Sequence, residues 1–274
     1  KVFGETMQKI VEQDPLAVYL DGDIMNSIGT LGLEKKFPDQ VFECGIQEAD
    51  MMGIAGGLSA VGKKPYVHTF AAFAARRAFD QVFISIAYAK NNVRIIGSDP
   101  GVTSANNGGT HMPFEDICLY RAIPHSTVLE FTDSAMLASL LPTLKDRPGL
   151  TYCRLNRKEG TAIYSEDSTF EPGKANLLRD GKDVTIVACG MMVGESLKAA
   201  EILEKEGISA AVIDMFTIKP LDEEIIKEFA GKTHAFVTAE NANIVGGLGA
   251  AVAAFLAETT PCPVIRVGVK DEFG

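Results

Sequence analysis

The chain has 274 residues, 46% of them hydrophobic and 23% charged, with a formal net charge of −10. That length holds one large domain or two of ordinary size, and a composition without low-complexity tracts excludes a disordered chain. An acidic surface with no run of Lys and Arg excludes nucleic acid as a partner, and it means that an anionic substrate needs locally placed basic groups.

The five cysteines, at positions 44, 118, 153, 189 and 262, are scattered and show neither CxxC nor zinc-finger spacing, as in a reducing compartment. No targeting signature and no apolar run of membrane-spanning length is found, so a cytoplasmic protein that does not insert into a membrane is expected.

In chain order, short apolar runs alternate with stretches of helical spacing, the pattern of an α/β fold with mainly parallel sheets. Helices are predicted from Gly4 to Gln13, Glu48 to Ala60 and Ala72 to Ala89; strands at Ala17 to Leu20, Pro65 to Thr69, Val93 to Ile96, Thr127 to Glu130 and Leu150 to Arg154. From Asn156 to Lys182 the pattern decays into charge, Gly and Pro, including the turn material Ser165-Glu166-Asp167-Ser168 and Glu171-Pro172-Gly173. The expected division is a first domain over 1–160, a linker over 161–182 and a second α/β domain over 183–274. In the second, strands are predicted at Val184 to Cys189, Ala210 to Asp214 and His234 to Thr238. Helices are predicted from Val193 to Glu206, from Asp222 to Ala230 and after Gly249.

Several segments are placed where chemistry happens. Phe42-Glu43-Cys44-Gly45-Ile46-Gln47-Glu48 sets a carboxylate at the start of a small-residue-rich helix, either as an ordinary first-turn acid favoured by the helix dipole or as a functional carboxylate at a sheet edge. Phe70 and Phe73, followed by Arg76 and Arg77, fall at the C-terminal end of a predicted strand, where open α/β sheets bind ligands, although aromatics at that spacing are commonly core. The loop from Ser98 to Pro113 is long, polar and Gly-rich, and carries His111 near its end. Two glycine signals mimic phosphate sites. Val245-Gly246-Gly247-Leu248-Gly249 lacks the rest of a dinucleotide fingerprint and reads as a tight turn. Asp21-Gly22-Asp23 lacks the Asn of a metal-diphosphate motif, so no metal site is assigned to this chain.

Taken in order, these segments resemble the pyrimidine-binding and C-terminal domains of the transketolase family over nearly the whole chain. The stretches that carry the resemblance are GDIMNS at 22–27, ECGIQE at 43–48, HTFAAFAARRAFDQV at 68–82, GGTHMP at 108–113, TYCRLN at 151–156 and VGVKDEFG at 267–274. The resemblance implies two three-layer α/β domains and a thiamine diphosphate cofactor whose aminopyrimidine is contacted by this chain. Glu48 matches the glutamate that bonds the pyrimidine ring nitrogen, Phe70 and Phe73 the aromatic pair that flanks the ring, and Asp23 an acid near the cofactor's centre, with Arg76 beside them. Ser27 and Arg154 match residues that hold a substrate phosphate, and His111, with Asn107 four positions before it, faces the substrate hydroxyls. Glu48 and His111 are the catalytic candidates. The pattern departs from the family at Ala49-Asp50, Ser98 and Asn107, where the family has a histidine, a histidine and an acid, which points to an unusual sugar.

The family's diphosphate and metal signature lies in an N-terminal domain absent from this sequence. The resemblance therefore implies a separate N-terminal partner subunit that holds Mg2+ or Ca2+, a heterotetramer containing a dimer of this chain, and ketol transfer between sugar phosphates. The alternatives are the beta subunit of a thiamine-dependent 2-oxoacid dehydrogenase, a fragment of deoxyxylulose phosphate synthase, and a degenerate assembly subunit. A Rossmann module is disfavoured by its missing fingerprint.

Overall fold

Runs of Val, Ile, Leu and Tyr become buried strands because helices cover both faces of each sheet, which removes the need for polar alternation. The computed structural model describes residues 1–156 and 160–274. Its strands are β1 (Ala17–Asp21), β2 (Val41–Glu43), β3 (Lys64–Phe70), β4 (Val93–Ser98), β5 (Thr127–Glu130), β6 (Leu150–Leu155), β7 (Asn176–Arg179), β8 (Val184–Ala188), β9 (Ala210–Asp214), β10 (Thr217–Lys219), β11 (Phe236–Asn243) and β12 (Val264–Val269). Every residue of β1, β4, β5 and β6 is buried.

The first sheet has the order β10-β5-β6-β4-β3-β1-β2 and the second β12-β11-β8-β9-β7. All pairings are parallel except β10 with β5 and β7 with β9. The two units are thus the mainly parallel α/β layers expected from the sequence, with two additions. The segment 161–182, read as a linker, contains β7, an edge strand of the second sheet. β10 follows the second unit's β9 in sequence, yet pairs with β5 of the first sheet through Thr217↔Leu129 and Lys219↔Val128. Lys219 Nζ donates to the carbonyls of Arg121 and Ile123 and fastens the crossing.

One face of the first sheet is covered by the helices Val2–Gln13 and Ser134–Thr143, whose Phe3, Met7, Leu137 and Leu141 share a core with Tyr19 and Leu129. The other face is covered by the Glu48–Ala60 helix and the segment that follows β3. Its core runs without a break from Met51 and Val67 through Ile117 to Ile213 and Phe229 of the second unit. Gly56 allows the close approach that this needs, since a Cβ there would lie 2.7 Å from the Ser85 carbonyl oxygen.

The helix expected from Ala72 to Ala89 is not a single α-helix. It winds as π-turns over Phe73–Arg77 and Val82–Tyr88, separated by a short α-turn at Phe79–Gln81. A π-turn changes which side chains share a face, a frequent device at functional sites. Spacing rules built on 3.6 residues per turn do not anticipate it. The sequence pattern does not predict β2, β10 or β12, the first two because three residues carry too little pattern.

Where the two units meet, Asp214 at the end of β9 is wholly buried and accepts from the hydroxyls of Thr132 and Tyr164, each at 2.7 Å. Burial, against those two bonds, raises its carboxyl from 3.8 to about 7. The folded chain therefore binds a proton there more readily than the unfolded chain. That contribution to stability is complete below pH 3.8 and is lost as pH rises through about 7. Asp214→Asn should remove this slope: thermal melts of variant and wild type run from about pH 5 to about pH 8 should show the variant gaining on wild type by on the order of 1 kcal/mol or more.

Candidate active site at the strand ends

The chain leaves β1 for β2 on one side and returns to β3 on the other, so the strand order reverses at β1. A crevice outside the carboxyl ends of the strands is expected at such a point. Asp23 and Ser27 follow β1, Glu48 follows β2, Phe70 ends β3 with Phe73 just beyond, and His111 lies in the loop after β4.

Glu48 is the first residue of its helix and is 1% exposed. Both carboxylate oxygens lie 2.9 Å from Arg77 Nη1. The Arg77 guanidinium lies over the Phe73 ring, 4.0 Å from its centroid. Phe73, Phe70 and His111 form a cluster of mutually edge-on rings, with centroids 6.0 Å apart for Phe70–Phe73, 5.7 Å for Phe70–His111 and 5.0 Å for Phe73–His111. A buried carboxylate, an aromatic face and an imidazole thus converge at one strand-end crevice. That donor set suits a planar nitrogen heterocycle, which offers an N–H or protonated ring nitrogen to the acid and a face to the ring. The residues fit the aminopyrimidine half of thiamine diphosphate.

Arg76, expected against the cofactor, is committed elsewhere. Its Nη2 donates to the Thr110 carbonyl at 2.8 Å and its Nε lies 3.2 Å from Glu115, so it braces the loop that presents His111. The arginine that reaches the acid is its neighbour Arg77, for which the sequence pattern predicts no role. The Thr110 hydroxyl lies 2.9 Å from His111 Nδ1.

The loop between Ser98 and Pro113 is built of two 3-10 turns, Gly101–Asn107 and Gly109–His111, and is seated on the second unit. Asn241 of β11 accepts from the Val102 backbone N–H at 2.9 Å and donates to the Pro100 carbonyl at 3.1 Å. Gly101, at φ +58, lies so close to Asn241 that an added Cβ would fall 2.3 Å from its Oδ1. From below, buried Ser98 holds His68 Nε2 at 3.1 Å, and His68 Nδ1 lies 2.7 Å from Asp21 Oδ2. Asp21 Oδ2 also accepts from the Tyr19 hydroxyl at 2.5 Å. Both Asp21 and Ser98 are thus structural supports. Asp23 is exposed at φ +65, and its backbone N–H donates to Glu43 Oε1 at 2.7 Å.

Beside the ring cluster's loop, a cavity of about 500 Å³ is lined by Ser27, Val102, Thr103, Asn106, Thr132 and Asn156 among others. Ser27 is on its wall. Asn107 is exposed next to the lining Asn106 but is not itself part of the wall.

Arg154 is not available to a substrate phosphate. Its side chain is fully buried, with Nε 2.8 Å from Asp116 Oδ2, Nη1 2.8 Å from Glu130 Oε2, and Nη2 donating to Asp116 Oδ1 at 3.2 Å and to the Asn241 carbonyl at 3.0 Å. The sequence showed an arginine at a strand end and could not show the two acids that consume it.

The glycine-rich turn Val245–Gly249 likewise spends its donors internally: the Leu248 and Gly249 N–H groups donate to the buried Glu240 carboxylate at 2.7 and 2.8 Å. Burial raises that carboxyl to about 7. Among the described residues no group of three or more His, Cys, Asp or Glu is placed to hold a metal ion, and no helix is long and apolar enough to cross a membrane.

Comparison with known proteins agrees with the fold. Residues 1–161 match the family model of the transketolase pyrimidine-binding domain, and residues 173–274 that of the transketolase C-terminal domain. The chain is 47% identical over 272 residues to the 6-deoxy-6-sulfo-D-fructose transketolase subunit SqwH of Clostridium sp. (strain MSTE9), covering 99% of this chain and 84% of that one. It is 37% identical over 273 residues to an apulose-4-phosphate transketolase subunit of Phocaeicola vulgatus, covering 99% and 87%. A solved structure described as a split-gene transketolase in an inactive beta4 tetramer superposes with a TM-score of 0.92 at 42% identity, over 100% of this chain and 89% of that one. The chain belongs to the transketolase family, as a thiamine-dependent transketolase-type subunit made of the pyrimidine-binding and C-terminal domains.

Replacing Arg154 by Met leaves Asp116 and Glu130 buried without their counter-charge. A loss of about 3–5 kcal/mol in chemical denaturation is expected, as for other broken buried pairs.

Proposed function

We propose that this chain supplies the pyrimidine-binding half of a thiamine diphosphate site, completed by a separate N-terminal subunit, and that the assembled enzyme transfers a two-carbon ketol unit from a ketose donor to an aldose acceptor. The observation that carries this reading is the almost fully enclosed Glu48 carboxylate, held at the sheet's switch point beside Phe73 and His111. Bound thiamine diphosphate supplies a nucleophilic carbon that the protein's own side chains lack.

The chain's residues divide the remaining work. Glu48 takes the proton-bearing ring nitrogen, and the enclosure that keeps water from its carboxylate strengthens the bond. Phe73 and Phe70 position the ring by stacking and edge contacts, worth about 0.5–1.5 kcal/mol per pair beyond area burial. His111, with Nδ1 beside Thr110, presents Nε2 to a substrate hydroxyl. The cavity lined by Ser27, Asn106 and Asn156 receives the far end of the sugar. Relatives act on a sulfo-sugar and on a sugar phosphate, as their names state, so a ketose with an anionic tail is the proposed donor. With Arg154 consumed, the next cations in the sequence are Arg157 and Lys158, which lie outside the described residues.

The diphosphate and its Mg2+ or Ca2+ are assigned to the partner. Two names among the relatives include the word subunit, and Asp21 of Asp21-Gly22-Asp23 is spent on His68 and Tyr19. The partner and this chain are proposed to form a heterotetramer around a dimer of this chain, with each site built between subunits.

Calorimetric titration of thiamine diphosphate with Mg2+ tests this reading, first into this chain and then into its mixture with the N-terminal subunit. Saturable binding in the mixture alone is the expected result; tight binding to the isolated chain, or none in the mixture, refutes the shared site. Glu48→Gln should retain the fold by circular dichroism and lower turnover of the mixture by about 100-fold or more, the scale of a general acid-base group.

A further inference from the structure

The Glu48–Arg77 pair is lopsided in a way that an ordinary surface ion pair is not. Glu48 is 1% exposed, whereas the Arg77 side chain is 44% exposed. The acid is fixed by its place in the first turn of a helix, and the base reaches it from the solvent side. Both carboxylate oxygens face the same guanidinium nitrogen, 2.9 Å away. Glu48 is nearly closed to water, and the half-exposed group bonded to both of its oxygens is Arg77.

Arg77 also occupies the second surface a pyrimidine needs. Its guanidinium carbon lies 4.0 Å from the Phe73 ring centroid, at stacking distance. A guanidinium is planar, cationic and rich in N–H donors, so it makes the two contacts proposed for the aminopyrimidine: an N–H bond to Glu48 and a face on Phe73. The π-turn at Phe73–Arg77 sets the two residues in this relation, since it carries the chain from the ring to the guanidinium within a single wide turn.

We infer that Arg77 is a resident stand-in for the cofactor's pyrimidine. It neutralises Glu48 while the subsite holds no cofactor, and it leaves the subsite when thiamine diphosphate enters. This rests on the proposed cofactor role of Glu48. An unpaired buried carboxylate is costly, so the pair preserves the shape of the subsite in the cofactor-free protein. The same contact taxes binding, because only the fraction of molecules with Arg77 withdrawn accepts the ring, and the apparent dissociation constant rises by that factor. The adjacent Arg76 is held by Glu115 and the Thr110 carbonyl, so the two arginines have separate tasks: one braces the loop and the other guards the acid.

The test is the affinity of the two-subunit complex for thiamine diphosphate with Mg2+, measured by calorimetry, and the association rate, measured by stopped-flow protein fluorescence or circular dichroism, for wild type, Arg77→Gln and Arg77→Lys. Displacement predicts that Arg77→Gln binds about 5-fold tighter or more and associates faster, because its neutral amide competes weakly for Glu48. Arg77→Lys, which keeps the charge but loses the planar stacking group, should fall between the two and serves alone if the Gln variant does not fold. Equal or weaker binding in the variants, with normal binding in wild type, overturns the stand-in role and makes Arg77 a permanent wall of the site. Absence of cofactor binding in the wild-type complex overturns the cofactor reading itself, and this inference with it.

Discussion

A buried guanidinium ties the first unit to the second at the point where the crevice loop is seated. Arg154 leaves the end of β6, pairs with Asp116 and Glu130 of the first unit, and donates to the Asn241 carbonyl of the second. Asn241 in turn seats the loop that ends at His111. Cys189, at the end of β8, points its thiol at the same Glu130 from 3.5 Å. Such a cluster returns little net stability compared with apolar packing, because desolvating the charges offsets most of their attraction. Its value is geometric: the cluster joins the carbonyl of Asn241 to the first unit, and the loop over the crevice is seated on that same residue.

The division of chemistry follows from the topology. Three successive strand ends, those of β2, β3 and β4, deliver the acid, the rings and the imidazole, and every one of them belongs to the first unit. The second unit contributes no side chain to the ring cluster, yet through Asn241 it sets where the loop lies. Distance from the reacting atoms and dispensability are therefore different things here.

Much of this was legible in the sequence. Buried parallel strands announce themselves as uninterrupted Val, Ile and Leu, and Glu48 was visible as an acid opening a helix at a sheet edge. Phe70 and Phe73 were placed by the strand that precedes them. What stayed hidden depends on partners remote in the chain or on geometry outside the usual periods. Arg154 looks like an anion-binding arginine until Asp116 and Glu130 are seen around it. Arg77 is indistinguishable from Arg76 until the π-turn sends one to Glu48 and the other to Glu115. β7 was lost in the linker because it is a short edge strand with a partly exposed, mixed pattern.

The strand β10 carries a consequence for how this protein can be divided. Two family models cover the chain in two blocks, as though a cut between them would yield two working modules. The second block, however, lends Thr217–Lys219 to the edge of the first sheet. A fragment ending before the second block would bare β5, a fully buried strand whose unpaired N–H and C=O groups would face water as a template for another chain. Sequence-family borders and folding borders do not coincide here, and the smallest part that buries its own sheet edge crosses both blocks.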